Sequence, residues 1–397
     1  MTLLKVIYWI SLIMVFYSYV GYGLILWIYV KIRRIFMVHP KPLPINSTFE
    51  PCVTLLVASF NEAAILENKI LDCLRLDYPE EKLEIVFVTD GSDDNSVSIV
   101  QQFSRIILMH EPQRKGKLAA INRAMTKITG DFVVFCDANT YLNKDCIKEI
   151  IKHYQDKHVG GVAGEKKIIY KNEDGGSAGA GEGLYWKYES FIKKLDSSFY
   201  TVVGAAGELF SIRASLFEPV ESNILLDDFI ISMNICKKGF RVVYEPKAFA
   251  AESPSFSMRE EQKRKIRISA GGFQSVVMLK GLLNIFKYGK LTFQYVSHRL
   301  LRWIICPILL PLLFILNLVI FLADNGNIVY AFLFCAQCLF YLAALVGWYF
   351  ASRNIKINLL HIPYYFVFMN AALYIGFCKF KTKRQSVLWE KAKRKII

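Results

Sequence analysis

The sequence predicts an α/β domain joined to membrane-embedded helices, and two observations carry that reading. First, three short apolar runs, residues 53–58, 83–89 and 132–136, each end in polar, acid-bearing residues. Ser59, Asn61 and Glu62 follow the first, Asp90 the second, and Asp137 and Asn139 the third. In an open α/β sheet, ligands bind beyond the carboxyl ends of the strands, so these ends describe one crevice suited to a cation and a phosphate-bearing ligand. Second, 54% of the 397 residues are hydrophobic and the mean hydropathy is +0.30, too apolar for an ordinary soluble domain.

The elements follow in order. Residues 3–30 carry no charge except Lys5 and are followed at once by Lys31, Arg33 and Arg34. About 20 apolar residues suffice to cross the hydrocarbon core, and a basic flank belongs on the cytoplasmic side, so residues 1–34 read as a membrane anchor. Residues 35–51, with Pro40, Pro42 and Pro44, read as a stiff linker. Residues 52–267 alternate strands with amphipathic helices, the helices falling over 62–75, 117–128, 145–154 and 184–195. On the first helix Ile65, Lys69 and Asp72 share or border one face, and Leu66, Ile70, Cys73 and Leu74 another. The glycine-rich stretch 174–183 lacks the strand context of a dinucleotide fingerprint and reads as a mobile loop, which either closes over a ligand or merely connects.

Residues 268–302 predict interfacial helices, because 272–286 is apolar but interspersed with Gln274, Ser275 and Lys280. A transmembrane region is expected over 303–380. Within it, 303–323 and 328–350 are each long enough to cross, with a turn at Asn325 and Gly326 between them. Residues 359–377 create a conflict, since a further full crossing would export Lys379, Lys381, Lys383 and Arg384 against the charge bias. Either that stretch is re-entrant or interfacial, or the topology departs from the rule. Residues 381–397 form a basic cytosolic tail.

The chain carries 49 Lys and Arg against 34 Asp and Glu, a formal charge of +15. These cations cluster beside apolar segments, where anionic lipid headgroups are the expected partner in place of nucleic acid. The nine cysteines are odd in number and scattered, which predicts reduced, buried side chains and a cytosolic globular part. Cys335 and Cys338 match a redox spacing but lie inside an apolar helix.

Each chemistry-bearing residue has a plain alternative. Asp137 and Asn139 offer two oxygens at a strand end, enough for a hard divalent cation that takes its other ligands from phosphate and water; equally, Asp137 could cap the following helix. Asp90 can accept hydrogen bonds from a nucleobase or ribose, or serve a turn. Glu62 sits where a helix first turn favours an acid, and Lys117 either neutralises a pyrophosphate or stands exposed near a helix start. Asp227 and Asp228 open a helix over 229–238, where the dipole favours acids; a carboxylate there can also take the proton of an attacking hydroxyl while a cation holds the departing phosphate. Small residues from Gly204 to Gly207, then Glu208, precede a strand-like run and either admit a bulky acceptor or pack closely.

In this order, these elements resemble family 2 inverting glycosyltransferases of the membrane-bound synthase type, a group that includes cellulose, chitin and hyaluronan synthases and bacterial exopolysaccharide transferases. The resemblance covers residues 53–267 and the flanking membrane segments. It implies a GT-A-like nucleotide-sugar-binding domain with a mixed central sheet, in the bacterial inner membrane with the catalytic part cytosolic. The implied enzyme moves a sugar from a nucleotide-sugar, a UDP-sugar, to a glycan or lipid-linked acceptor, with Mg2+ or Mn2+ as cofactor and polysaccharide-assembly proteins as partners. Carried across, Ala58, Glu62, Asp90, Lys117 and Asp137 bind the donor. Asp137 and Asn139 match the metal-binding D-x-D. Asp228 matches the general base, with Asp227 beside it, while Gly207 and Glu208 resemble the acceptor loop. Gln262, Arg264 and Arg267 resemble the Q-x-x-R-W region.

Two departures stand out. Asn139 replaces the second Asp and lowers the charge of the site, and Ile266 stands where the motif has its aromatic residue, so Arg264 and Arg267 face donor, carrier or headgroup phosphates. Processive polymerisation and single-sugar transfer share every motif. An inactive membrane scaffold is the alternative from another class. A nucleotidyltransferase would carry a Gly- and Lys/Arg-rich loop near the first strand, which residues 58–62 lack.

Overall fold

The computed structural model describes residues 1–36, 48–169, 177–254, 257–324, 327–353, 355 and 357–383, with the side chains of 177–182 and 184 excepted. Most of the expected linker, residues 174–176 of the glycine-rich stretch, the turn at Asn325 and Gly326, and the tail from residue 384 lie outside them. The described residues fall into two compact units, one built from 30–36, 48–169 and 186–254, the other from 1–29, 177–185 and 257–383.

The first unit is an α/β domain around eight strands: β1 Val53–Ser59, β2 Leu83–Asp90, β3 Ile107–Glu111, β4 Phe132–Asp137, β5 Tyr141–Leu142, β6 Val159–Ile168, β7 Leu209–Arg213 and β8 Arg241–Glu252. Their order is β3-β2-β1-β4-β7-β6-β8-β5. The sheet is mixed, as the resemblance implies. β3, β2, β1 and β4 run parallel, β7 runs antiparallel to both β4 and β6, β8 is parallel to β6, and β5 is antiparallel to β8. Every residue of β1 is buried, which is why its sequence is a continuous apolar run without alternation. Val53, Leu55 and Val57 pack into one core with Leu66, Ile70 and Cys73 of the helix Ala63–Leu74.

Several element bounds differ from expectation. The helix Lys117–Met125 stops short of residue 128, and Cys146–Ile151 passes into a 3-10 turn at Lys152–Gln155. The helix Ser177–Phe199 begins inside the glycine-rich stretch read as a loop, because glycine weakens a helix by about 1 kcal/mol per residue relative to alanine without forbidding it. Lys69 and Asp72, set apart from the apolar face by periodicity, are both buried.

The domain boundary is also corrected. The α/β unit ends at Pro254, and the helix Met258–Met278 belongs wholly to the second unit. The polarity change at residue 267 marks a change in what this helix touches and not its end. Within residues 268–278, Ser269, Ala270, Gly271, Gly272 and Ser275 are buried. A Cβ added at Gly376 would lie 2.5 Å from Ser269 Cβ and 2.9 Å from the Ala270 nitrogen, so small residues bring two helix backbones together. Exposed apolar surface runs from Val277 and Met278 to Leu283, Ile285 and Phe286, the last 99% exposed.

Among the described residues, four helical stretches are long and apolar enough to cross a membrane: Thr2–Phe36, Lys290–Ala323, Ile328–Ser352 and Asn358–Lys381. Lys5 Nζ lies 2.8 Å from Asp324 Oδ2, and Tyr8 packs with Leu313, Leu316, Ile320 and Tyr330, so the first two stretches run antiparallel with Lys5 and Asp324 at one end. Asn358–Lys381 is continuous through Pro363 and Asn370, and its first turns run antiparallel along Ile328–Ser352. Gly347 backs onto Leu360, the Phe366 ring meets Phe340 and Tyr19, and the Tyr374 hydroxyl donates to the Pro307 carbonyl. At ~1.5 Å per residue, those partners stand about 29, 18, 21 and 26 Å from the Lys5–Asp324 end.

Candidate active site

The parallel strands β2, β1 and β4 set their carboxyl ends level, with Ser59 opposite Thr89 and Ala58 opposite Asp137. Ala58 is 4% exposed and contributes backbone at this edge. The loops that follow are stitched together. Asn61 Nδ2 donates to Asp93 Oδ1 at 2.7 Å, the Asp93 amide donates back to Asn61 Oδ1, and the Glu62 amide donates to Ser96 Oγ. The Ala63 amide, at the start of its helix, donates to Asp94 Oδ2 at 3.0 Å, so the loop after β2 caps the helix after β1. Glu62 itself is buried.

Asp90 is buried and its carboxylate accepts the backbone N–H groups of Lys115, at 2.9 Å, and Gly116, at 2.6 Å. That grip fixes the turn that opens the helix Lys117–Met125. Its first residue, Lys117, lies 2.8 Å from Asp137 Oδ1 and 3.5 Å from Asp227 Oδ2. Burial pulls the Lys117 pKa down, but Asp137, Asp227 and Asp228 outweigh it and hold the ammonium protonated. Asp137 is raised above the usual carboxylate range, chiefly by burial, with Glu208 and Glu252 adding to it against Lys117.

Asp227 and Asp228 open the helix Asp227–Lys237 as its first-turn acids, and Asp228 Oδ1 accepts its neighbour Phe229 N–H at 2.8 Å. Burial, and then the charge of Asp227, push Asp228 up to about 7. Gly204 and Gly207 keep the adjacent loop close to this helix. Gly204 has φ +87° and a Cβ there would fall 2.1 Å from the Phe229 ring, while one at Gly207 would lie 3.3 Å from Asp228 Oδ2.

Two residue sets escaped the sequence. Asn139 Nδ2 donates to Glu252 Oε1 at 3.1 Å, and the buried Lys166 ammonium sits 2.5 Å from both Glu252 and Glu208. On the other side, Lys69 Nζ donates to the Thr140 carbonyl at 2.7 Å and to Cys136 Sγ at 3.1 Å, and Asp72 Oδ2 accepts the Leu142 N–H. The loop that carries Asp137 and Asn139 is clamped from both flanks. The unusual position of a lysine among apolar residues was the only available signal.

The structure thus gathers Ala58, Asp90, Lys117, Asp137, Asn139, Gly207, Glu208, Asp227 and Asp228 in one domain. Gln262, Arg264 and Arg267 lie on Met258–Met278 of the second unit. Among the described residues, no three His, Cys, Asp or Glu side chains are grouped to cage a metal alone. A Mg2+- or Mn2+-type ion needs only one or two protein oxygens, and the donor set fits that: carboxylate and amide at the end of β4, and the buried Asp227 Oδ2, which accepts no hydrogen bond.

Residues 54–220 match the model of glycosyl transferase family 2. The poly-beta-1,6-N-acetyl-D-glucosamine synthase of Staphylococcus aureus strain COL is 25% identical over 246 residues, 59% of this chain and 57% of that protein. The synthase of the same name from Staphylococcus epidermidis is 23% identical over 247 residues, covering 60% and 58%. The chain thus spans less than two thirds of the length of these relatives. Among solved structures, the mannosyltransferase PcManGT from Pyrobaculum calidifontis, in complex with GDP-Man and Mn2+, superposes with a TM-score of 0.67 at 20% identity, over 95% of this chain and 99% of that one. The GT-A-like α/β fold expected from the sequence is the fold found. Over residues 54–220 this chain is a glycosyl transferase family 2 domain.

Proposed function

We propose that this chain is a membrane-bound inverting glycosyltransferase that moves a sugar from a nucleotide-sugar, a UDP-sugar, to a glycan or lipid-linked acceptor in bacterial polysaccharide synthesis. The observation that carries the reading is the single cluster of Lys117, Asp137, Asp227 and Asp228 at the end of parallel strands. Asp228 accepts the proton of the acceptor hydroxyl, whose oxygen bonds to the anomeric carbon as the bond from that carbon to the diphosphate breaks. The electron pair leaves with the nucleoside diphosphate. Lys117 supplies a fixed positive charge beside it, and Asp90 holds the turn that presents Lys117. Asp137 and Asn139 would hold Mg2+ or Mn2+, which when bound supplies Lewis-acid neutralisation of the leaving group.

The polymer-synthase names of the relatives favour processive addition as a second reading, and product length separates it from single transfer. The bacterial inner membrane, with the catalytic domain cytosolic, follows from Lys31, Arg33 and Arg34 after the first apolar stretch. The test is nucleoside diphosphate release from a panel of UDP-, GDP- and dTDP-sugars, with Asp228→Asn beside the wild type. The variant is expected to lose about 10²–10⁴-fold in turnover with little change in donor affinity. Near-normal turnover in a folded Asp228→Asn protein would refute the role of Asp228.

A further inference from the structure

We propose that Glu252 is the positioning partner of Asn139, and that the amide at 139 is matched to Glu252 so that an aspartate there would weaken cation binding. This rests on the reading that Asp137 and Asn139 hold the cation. A carboxylate can only accept, so the 3.1 Å contact fixes the amide nitrogen toward Glu252 and turns Asn139 Oδ1 to the opposite edge. Glu252 cannot drift to relax the contact. It is the last residue of β8, 1% exposed, and its carbonyl accepts the Ile169 N–H at 2.9 Å.

The local charges decide the sign. Lys166, nearly fully buried, lies 2.5 Å from Glu208 and 2.5 Å from Glu252, and its ammonium stands 4.8 Å from the Trp186 ring centroid. Two carboxylates therefore already share this cation. An aspartate at 139 would place a third carboxylate about hydrogen-bond distance from Glu252, acceptor against acceptor, where burial strengthens the repulsion. The side chain would rotate away from Glu252, and that rotation costs the metal an oxygen. The departure from D-x-D is thus explained by a residue far away in sequence, and both positions must change together.

The experiment is a four-protein cycle on the full chain in detergent: wild type, Asn139→Asp, Glu252→Gln and the double variant. Mn2+ binding in the presence of UDP is read from the EPR signal of free Mn2+. Asn139→Asp is expected to weaken Mn2+ about tenfold or more, and the double variant to return to within about threefold of wild type, in the range that supporting partners of metal ligands contribute. An Asn139→Asp protein that binds as tightly as wild type, or a folded double variant no better than Asn139→Asp, overturns the proposal. If thermal unfolding shows the double variant to be unfolded, Asn139→Asp against wild type decides alone. Asp137→Ala distinguishes the two failures: if it leaves Mn2+ affinity unchanged, or if wild type binds no Mn2+, the metal reading itself falls and this inference with it.

Discussion

At Asp228 burial and the neighbouring charge of Asp227 act in the same direction, lifting the carboxyl to about 7. A base works in its ionised form, so lowering the pH through that value removes it. For the free enzyme, kcat/KM is expected to rise with pH up to an apparent pKa near 7 and then level. Asp227→Asn removes the like charge and should move that acidic limb to lower pH; a profile flat from about pH 5 to about pH 8 would contradict the assignment. The acid pair at a helix start was legible in the sequence because residue type and position coincide there. The grip of Asp90 on the Lys115 and Gly116 amides was not, since a turn-rich stretch does not say which backbone its carboxylate will meet.

Between elements, the clearest device is the flank of Ala63–Leu74 that carries Lys69. Its ammonium is fully buried and reaches the Thr140 carbonyl, while Asp72 is shared among Leu142 N–H, Arg75 and Lys69. Removing one member of a buried pair leaves the other uncompensated, so Lys69→Met should cost about 3 kcal/mol, read as a lowered thermal unfolding temperature. An unchanged unfolding temperature would show that Lys69 is not holding the loop. Strands were the most legible elements, because burial on both faces writes a continuous apolar run. The Met258–Met278 helix was the least, because charged residues on its first turns and small ones on its last read as separate pieces.

For the membrane unit, the sequence announced apolar helices but could not orient the last one, because length and composition are the same for a crossing helix and a transverse one. By the charge bias alone, Lys379 and Lys381 are expected on the same membrane side as Lys31, Arg33 and Arg34. Cys378 is exposed and free. In a variant retaining it as the single cysteine, a membrane-impermeant maleimide should label inside-out vesicles and not intact spheroplasts; the reverse pattern would mean that this helix crosses. Within this unit, Tyr8, Leu313, Leu316, Ile320 and Tyr330 plug the seam among the first three apolar helices. A seam filled in this way by aromatic and aliphatic side chains gives a hydrated sugar no polar partner between these helices.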